Sequence, residues 1–254
     1  MEWYLEYSIT RNRPGLLGDI TTLLGMLSIN IRTINGVNDE KRAFLLECND
    51  EEQMNRLAEV LHHMPTITVT ALHPVSLFDR LAIRHGTFVE KDGMDAKVIR
   101  FTRDEIGLLI DFMAELFQST ENLLIGIRGM PRVGKTESMI AASVAANKRW
   151  ILISSTLIRQ TIRVDLLEEE LRPNHVYMID GVVSTMRANE EHHQVMRQVM
   201  NLPAPIVVEH PDIFVQRTEY TLKDFSYIIE LRNHPDETID YHHVKEGISS
   251  YEIS

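Results

Sequence analysis

The stretch Leu123-Leu124-Ile125-Gly126-Ile127-Arg128-Gly129-Met130-Pro131-Arg132-Val133-Gly134-Lys135-Thr136 decides how the longer part of the chain folds. Leu123 to Ile127 is a short apolar run, and Gly129 to Thr136 fit G-x-x-x-x-G-K-[ST] without a gap. In such a loop the glycines let backbone N–H groups turn inward around phosphate oxygens. The lysine then reaches the β and γ phosphates, and the hydroxyl coordinates Mg²⁺. Glu137 to Asn147, with Ile140, Ser143 and Val144 on one side and several alanines, supplies the helix that must follow. The expected cradle for ATP or GTP is therefore Gly129, Met130, Pro131, Arg132, Val133, Gly134, Lys135 and Thr136; the alternative is a glycine turn that is purely architectural.

A phosphate loop needs an acidic partner on a nearby strand to hold its metal. Val176-Tyr177-Met178-Ile179-Asp180, an apolar run ending in a carboxylate some forty residues after Lys135, meets that need as a Walker B motif. Thr136 and Asp180 are the expected Mg²⁺ ligands, while a helix cap or turn is the other role open to Asp180. Trp150 to Ser154, Pro205 to Glu209 and Tyr227 to Leu231 read as further strands. Five strands alternating with helices predict an α/β domain of P-loop NTPase type over 123–254, with a parallel sheet, helices on both faces and the ligand beyond the strand C-termini.

Upstream, Thr102 and Glu105 make a capping-box pattern, and Ile106, Leu109, Ile110, Met113, Leu116 and Phe117 line one helical face. From His73 to Arg100 the pattern is irregular, so 73–122 reads as a connector and helix. The first 72 residues are regular again. Trp3 to Thr10 alternate as a strand, and Leu16, Leu17, Ile20, Leu23, Leu24 and Leu27 share a helical face. Ile29 to Val37 and Arg42 to Cys48 read as strands joined by a hairpin at Asn38 to Lys41. Met54, Leu57, Leu61 and Met64 mark a second helix capped by Asp50, and Thr66 to Leu72 a fourth strand. The order βαββαβ is ferredoxin-like, with both helices on one face of the sheet.

The whole chain has 254 residues, 44% of them apolar and 25% charged, the composition of a packed globular protein of one large or two small domains. No run of 18 apolar residues occurs, and Met1 to Glu6 lack the features of a signal peptide, so a cytoplasmic protein without a membrane partner is expected. A net charge of −11 argues against general nucleic-acid binding. Cys48 is the single cysteine; it excludes an internal disulfide and reads as a core residue.

Arg13-Pro14-Gly15-Leu16-Leu17 before the first helix and Ser28-Ile29-Asn30-Ile31 opening the second strand resemble the start of ACT domains, small regulatory modules that often bind amino acids. The resemblance covers about the first quarter of the chain, with Asn12 where that family often has Asp. It implies a site for a small amino-acid-like effector at Arg11, Asn12, Arg13, Pro14 and Gly15, where exposed N–H groups at a helix start meet a carboxylate. A tight turn without a ligand is the other reading. It also implies a homodimer through 1–72, since an isolated domain of this kind gains by covering an exposed sheet edge or face. Over essentially the whole length the two-module order looks like a bacterial family, the YmfK-like proteins, which brings architecture but no established reaction.

The reaction is less legible. Many ATPases carry a second carboxylate directly after the Walker B aspartate, and here Gly181 stands in that place. Ile179-Asp180-Gly181 resembles the Asp-Gly ending of nucleoside monophosphate kinases. Ile127 to Thr136, with Trp150-Ile151-Leu152-Ile153-Ser154, is similar instead to signal-transduction ATPases that act as nucleotide switches. Arg132 replaces a commonly found glycine, and Glu137 stands where a second hydroxyl residue is frequent. Lys135, Asp180 and Arg217 are the candidate catalytic residues; Arg187 and Arg197 are further cations, on a helical stretch with Glu190 and Glu191. The pairs His62-His63, His192-His193 and His242-His243 read as surface histidines, and Asn233 to Ser254 as a loosely held polar tail. The expected function is a regulated nucleoside triphosphate-binding protein, an NTPase or kinase-type enzyme; a slow signalling switch and a non-catalytic sensing or dimerisation module remain as alternatives.

Overall fold

The computed structural model describes residues 1–36, 41–87, 89–91, 97–155, 162–186 and 189–239. The chain divides into two compact units, Met1–Val89 and Glu90–Ser254.

In the first unit β1 (Glu2–Ile9), α1 (Leu16–Met26), β2 (Asn30–Gly36), β3 (Lys41–Glu47), α2 (Glu51–His62) and β4 (Ile67–Pro74) follow one another, and the strands form an antiparallel sheet in the order β2-β3-β1-β4. The hairpin turn expected at Asn38 to Lys41 lies, except for Lys41, outside the described residues. Alternation along β1 sends Leu5 and Tyr7 into a core with Leu16, Ile20 and Leu24 of α1, Met54, Leu57 and Leu61 of α2, and Cys48. Each such side chain contributes roughly 1.5–3 kcal/mol on burial. The Asp50 carboxylate accepts the Glu52 N–H at 2.9 Å and starts α2 as expected.

The opposite face of this sheet differs from the expectation. Helix α3 (Leu77–His85) lies on it, with Ala82 and Ile83 packed against Tyr4 and Ala43. Ser76 and Asp79 cap α3 reciprocally: the Ser76 N–H donates to Asp79 at 2.7 Å, and the Asp79 N–H to the Ser76 hydroxyl at 3.3 Å. The start of the presumed connector is thus part of the first unit. Leu81, Ala82 and Ile83 are its buried residues, three in succession and too few to mark a helical period. Helix α3 thus covers a sheet face that the expected homodimer would otherwise have covered.

In the second unit β5 (Glu90–Lys91), β6 (Val98–Thr102), α4 (Ile106–Phe117), β7 (Leu123–Arg128), α5 (Lys135–Ala145), β8 (Arg149–Leu152), β9 (His175–Asp180), α6 (Gly181–Met186), α7 (Glu190–Met200), β10 (Pro205–Glu209), α8 (Pro211–Phe214) and β11 (Tyr227–Arg232) build a mixed α/β layer structure. The sheet runs β5-β6-β11-β7-β10-β9-β8, parallel throughout its six strands from β6 to β8, with β5 antiparallel at the edge. Strand β6 also falls in the presumed connector, which is therefore shared between the two units. Helices cover both faces. Val195 and Val199 of α7 pack with Leu124, Ile206 and Ile228 on one face, while on the other the Phe112 ring of α4 lies 5.7 Å from Phe101 and 5.8 Å from Tyr227. The Glu105 carboxylate accepts the Thr102 N–H at 2.9 Å, one half of the expected capping box.

Candidate functional site

The strands β7, β10 and β9 end side by side, and their C-terminal residues define the site. Beyond β7 the loop Gly129 to Gly134 turns into α5. Gly129 has φ 156°, and a Cβ there would stand 2.6 Å from the Leu231 carbonyl oxygen, so no other residue lets the chain leave the strand this way. Arg132, which replaces a commonly found glycine, adopts φ 66°, the left-handed conformation that glycine favours. Lys135 opens α5 and is 6% exposed; its ammonium donates to the carbonyls of Gly129 at 2.9 Å and Met130 at 3.0 Å. Burial lowers its pKa, opposed by the charges of Glu209, Asp180 and Glu137. The ammonium is thus folded back on its own loop.

Asp180 ends β9, and its position is not beside the loop strand. Strand β10 lies between β9 and β7, which places the Asp180 backbone about 10 Å from β7 at two inter-strand spacings. Its Oδ1 accepts the N–H groups of Val182 at 2.9 Å and Val183 at 3.1 Å, so the residue caps α6. Metal ligation and capping are the two alternatives for Asp180, and the cap is present.

The intervening strand contributes a residue that the sequence reading passed over. Glu209 ends β10 in register with both Ile127 of β7 and Asp180 of β9, and its carboxylate accepts the hydroxyl of Thr136. Burial and the neighbouring Asp180 push its pKa up to about 7, opposed by Lys135 and the Thr136 hydrogen bond. Gly181 then acquires a reason: a Cβ there would meet the Glu209 carbonyl oxygen at 2.7 Å and that of His210 at 2.9 Å. The end of the neighbouring strand occupies the space that a side chain at position 181 would need. The signal was available in Val207-Val208-Glu209, an apolar strand ending in a carboxylate as Asp180's does.

Mg²⁺ prefers oxygen ligands and is commonly held by one or two carboxylates together with phosphate oxygens and water. The Thr136 hydroxyl and the carboxylates of Asp180 and Glu209 fit that donor set. Among the described residues no group of three or more His, Cys, Asp or Glu could hold a metal by itself, so a cation here would need nucleotide oxygens.

The other expected residues fall elsewhere. Arg217 lines a small cavity of about 140 Å³ with His193 and Arg197 of α7. Arg197 pairs with Glu190 at 2.9 Å, and Arg187 lies outside the described residues. His62 and His63 are exposed as expected; His242 and His243 fall outside the described residues. His192 is the exception, fully buried, with Nδ1 2.7 Å from the Arg163 carbonyl and Nε2 3.1 Å from the Ser184 hydroxyl. Its position on the inner face of α7, beside Val195 and Met196, overrides the polar pairing seen in sequence. Of the tail, 240–254 lie outside the described residues, while Asn233 is held by the Glu237 carboxylate. In the first unit Asn12, Arg13 and Gly15 of the presumed effector turn line a cavity of about 600 Å³ with Tyr7, Ile34 and Arg42, whereas Arg11 and Pro14 do not.

Comparison with known proteins defines the class first. Residues 69–252 match the model of a family described as "Protein of unknown function (DUF3388)", and the chain belongs to that family. It is 58% identical over 260 residues to "Uncharacterized protein YmfK" of Bacillus subtilis (strain 168), covering 100% of this chain and 97% of that protein, which bears out the likeness to YmfK-like proteins. Among solved structures, phospho-2-dehydro-3-deoxyheptonate aldolase of Thermotoga maritima is matched over 99% of this chain and 96% of that one, at 11% identity and a TM-score of 0.23, too low a likeness to carry an argument. No helix among the described residues is long and apolar enough to cross a membrane.

Proposed function

We propose that the second unit is a P-loop nucleoside triphosphate-binding module that transfers the γ-phosphoryl group, with water as the simplest acceptor. The observation that carries this reading is the convergence of Lys135, Thr136, Asp180 and Glu209 at the ends of three adjacent strands, directly beyond a loop of the G-x-x-x-x-G-K-T pattern. Lys135 exchanges the carbonyls of Gly129 and Met130 for phosphate oxygens, with charge-assisted contacts stronger than those it leaves. Mg²⁺, held by Thr136 and by Asp180 directly or through water, would neutralise charge on the β and γ phosphates. Glu209 accepts a proton from the attacking water. As the water oxygen bonds to the γ phosphorus, the bond to the β–γ bridging oxygen breaks, and the nucleoside diphosphate leaves with those electrons. A carboxylate whose pKa stands near the working pH suits this task, because it is basic enough to take the proton and still ionised in part.

The test is phosphate release from MgATP and MgGTP. Glu209→Gln is expected to cut turnover by about 10²–10⁴-fold, the usual worth of a general base, while nucleotide still binds. Unchanged turnover in the variant would remove Glu209 from the reaction. A regulated enzyme is a further part of this reading, supported by the 600 Å³ cavity at Asn12, Arg13 and Gly15, large enough for a small carboxylate effector.

A further inference from the structure

Strand β7 does more than lead into the phosphate loop. Its last three residues, Gly126, Ile127 and Arg128, each engage one of the three residues that follow Glu209. Gly126 gives room to Pro211, since a Cβ there would stand 2.8 Å from the Pro211 Cγ. The Ile127 carbonyl accepts the His210 N–H at 3.0 Å. The Arg128 guanidinium donates twice to the Asp212 carboxylate, from Nε to Oδ2 and from Nη2 to Oδ1, both at 2.7 Å. A fork on a carboxylate fixes orientation as well as distance, which a single contact does not.

Both partners of this pair are themselves held. Their side chains are 14% and 20% exposed, so solvent and salt screen them less than a surface pair. The Nη1 of Arg128 donates to Glu230 of β11 at 3.2 Å, and Glu230 also takes Arg232 at 2.7 Å and Arg100 of β6 at 3.2 Å. The guanidinium is thereby anchored to the sheet. Asp212 lies in the first turn of α8, where the N–H groups of Ile213 and Phe214 donate to the His210 carbonyl at 3.0 and 3.1 Å. Its carboxylate is thus joined to the end of β10 through a closed turn. Arg128 precedes the first glycine of the G-x-x-x-x-G-K-[ST] pattern, which does not specify it.

We propose that Arg128 and Asp212 are positioning residues that set Glu209 against the phosphate loop. This rests on the nucleotide reading above and adds to it the means by which the general base keeps its place. The loop begins directly after Arg128, and Glu209 stands three residues before Asp212, so the pair closes a ring whose far side is the hydrogen bond from Thr136 to Glu209. In the proposed reaction the Thr136 hydroxyl takes another partner, and the contacts from β7 remain. Their precision then matters, because a misplacement on the order of 1 Å can cost about 10²-fold in rate.

The experiment uses the full chain. Phosphate release from MgATP or MgGTP, whichever wild type turns over, gives kcat, and titration calorimetry with the matching non-hydrolysable imido triphosphate gives affinity. Asp212→Ala leaves Arg128 its Glu230 partner and is expected to lower kcat by about tenfold or more, with analogue affinity within about threefold of wild type. Arg128→Lys, which keeps the charge but not the fork, should show the same split. The double variant should lose no more than the larger single loss, because each change removes the same pair. A pair that serves the fold alone would lower the melting temperature and leave kcat, read well below it, in place. Asp212→Asn, which keeps the shape of the side chain, replaces Asp212→Ala should that variant be unfolded at the assay temperature. An unchanged kcat in the folded Asp212 variant, equal losses of kcat and affinity, or losses that multiply in the double variant overturn the proposal and leave the nucleotide reading standing. Absence of turnover in wild type overturns both.

Discussion

Glu6 of the first unit and Glu209 of the second are both glutamates at strand positions, 4% and 9% exposed, yet their surroundings act on them in opposite directions. Glu6 is penalised by burial but accepts from the hydroxyl of Thr70 at 2.5 Å, the ammonium of Lys41 at 2.9 Å and the phenol of Tyr4 at 2.9 Å, and these hold its pKa below the ordinary value. Glu209 is penalised by burial and by Asp180 beside it, with Lys135 and one hydroxyl, that of Thr136, in opposition, and its pKa is pushed up to about 7. A carboxylate with three donors is stabilised in its charged form, whereas one with a single hydroxyl beside a like charge is not, and groups perturbed in that way are enriched at functional sites.

The largest expected effect concerns the neighbour that sets Glu209 apart. Asp180→Asn keeps the oxygen that caps α6 but removes the charge, so it should lower MgATP turnover by two orders of magnitude or more, on the scale of a lost charged group in transition-state stabilisation, while metal-free nucleotide binding is little changed. Equal losses in both measurements would reduce Asp180 to a cap and dissolve the contrast with Glu6. Next comes Gly181→Ala, whose methyl group would press on the Glu209 and His210 carbonyls; overpacking of this kind typically costs 1–3 kcal/mol, read as a lower midpoint in urea. An unchanged midpoint would mean that α6 can move away from β10.

The smallest effects are in pH dependence, and the two glutamates should differ in sign. Because the Glu6 pKa is lowered on folding, its contribution is present above the ordinary 4.5 and is lost as pH falls through the lower folded value. Glu6→Gln should therefore melt about 1–3 kcal/mol less stably at pH 7, with the deficit shrinking in acid. The Glu209 pKa is raised, so its ionisation costs stability that is absent below 4.5 and grows as pH rises to about 7. Glu209→Gln should melt above wild type at pH 7.5 and match it near pH 4. Melting curves shifted in the same direction for both variants would break the comparison.

Much of this was legible from sequence where one period or one motif governed. The alternation of Trp3 to Thr10 and the helical spacing of Met54, Leu57 and Leu61 gave β1 and α2, and the loop pattern located Lys135 and Thr136 in the buried site. Helix α3 was missed because its apolar face is a single turn, although Ser76, Asp79 and Gly86 mark both its ends. Strand β6 was missed because Arg100 interrupts its apolar run before Phe101; in the fold Arg100 pairs with Glu230 at 3.2 Å. Glu209 went unrecognised for a different reason. Its neighbours Asp180 and Thr136 stand 29 and 73 residues earlier in the chain, and the insertion of β10 between β7 and β9 is a fact of strand order that no local pattern carries. Arg217 was judged by its place after a strand, and the course of the chain beyond α8 takes it to α7 instead.

In the proposed reaction Lys135 changes partners, from the carbonyls of its own loop to the phosphates of a nucleotide. Titration calorimetry of MgATP and MgGTP into wild type and Lys135→Ala measures that exchange directly. Wild type should bind at least one of them, and the variant about tenfold or more weakly, since charge-assisted contacts of this kind are worth roughly 1.5–3 kcal/mol each. Equal affinities in the two proteins, or no heat of binding in wild type, would contradict it.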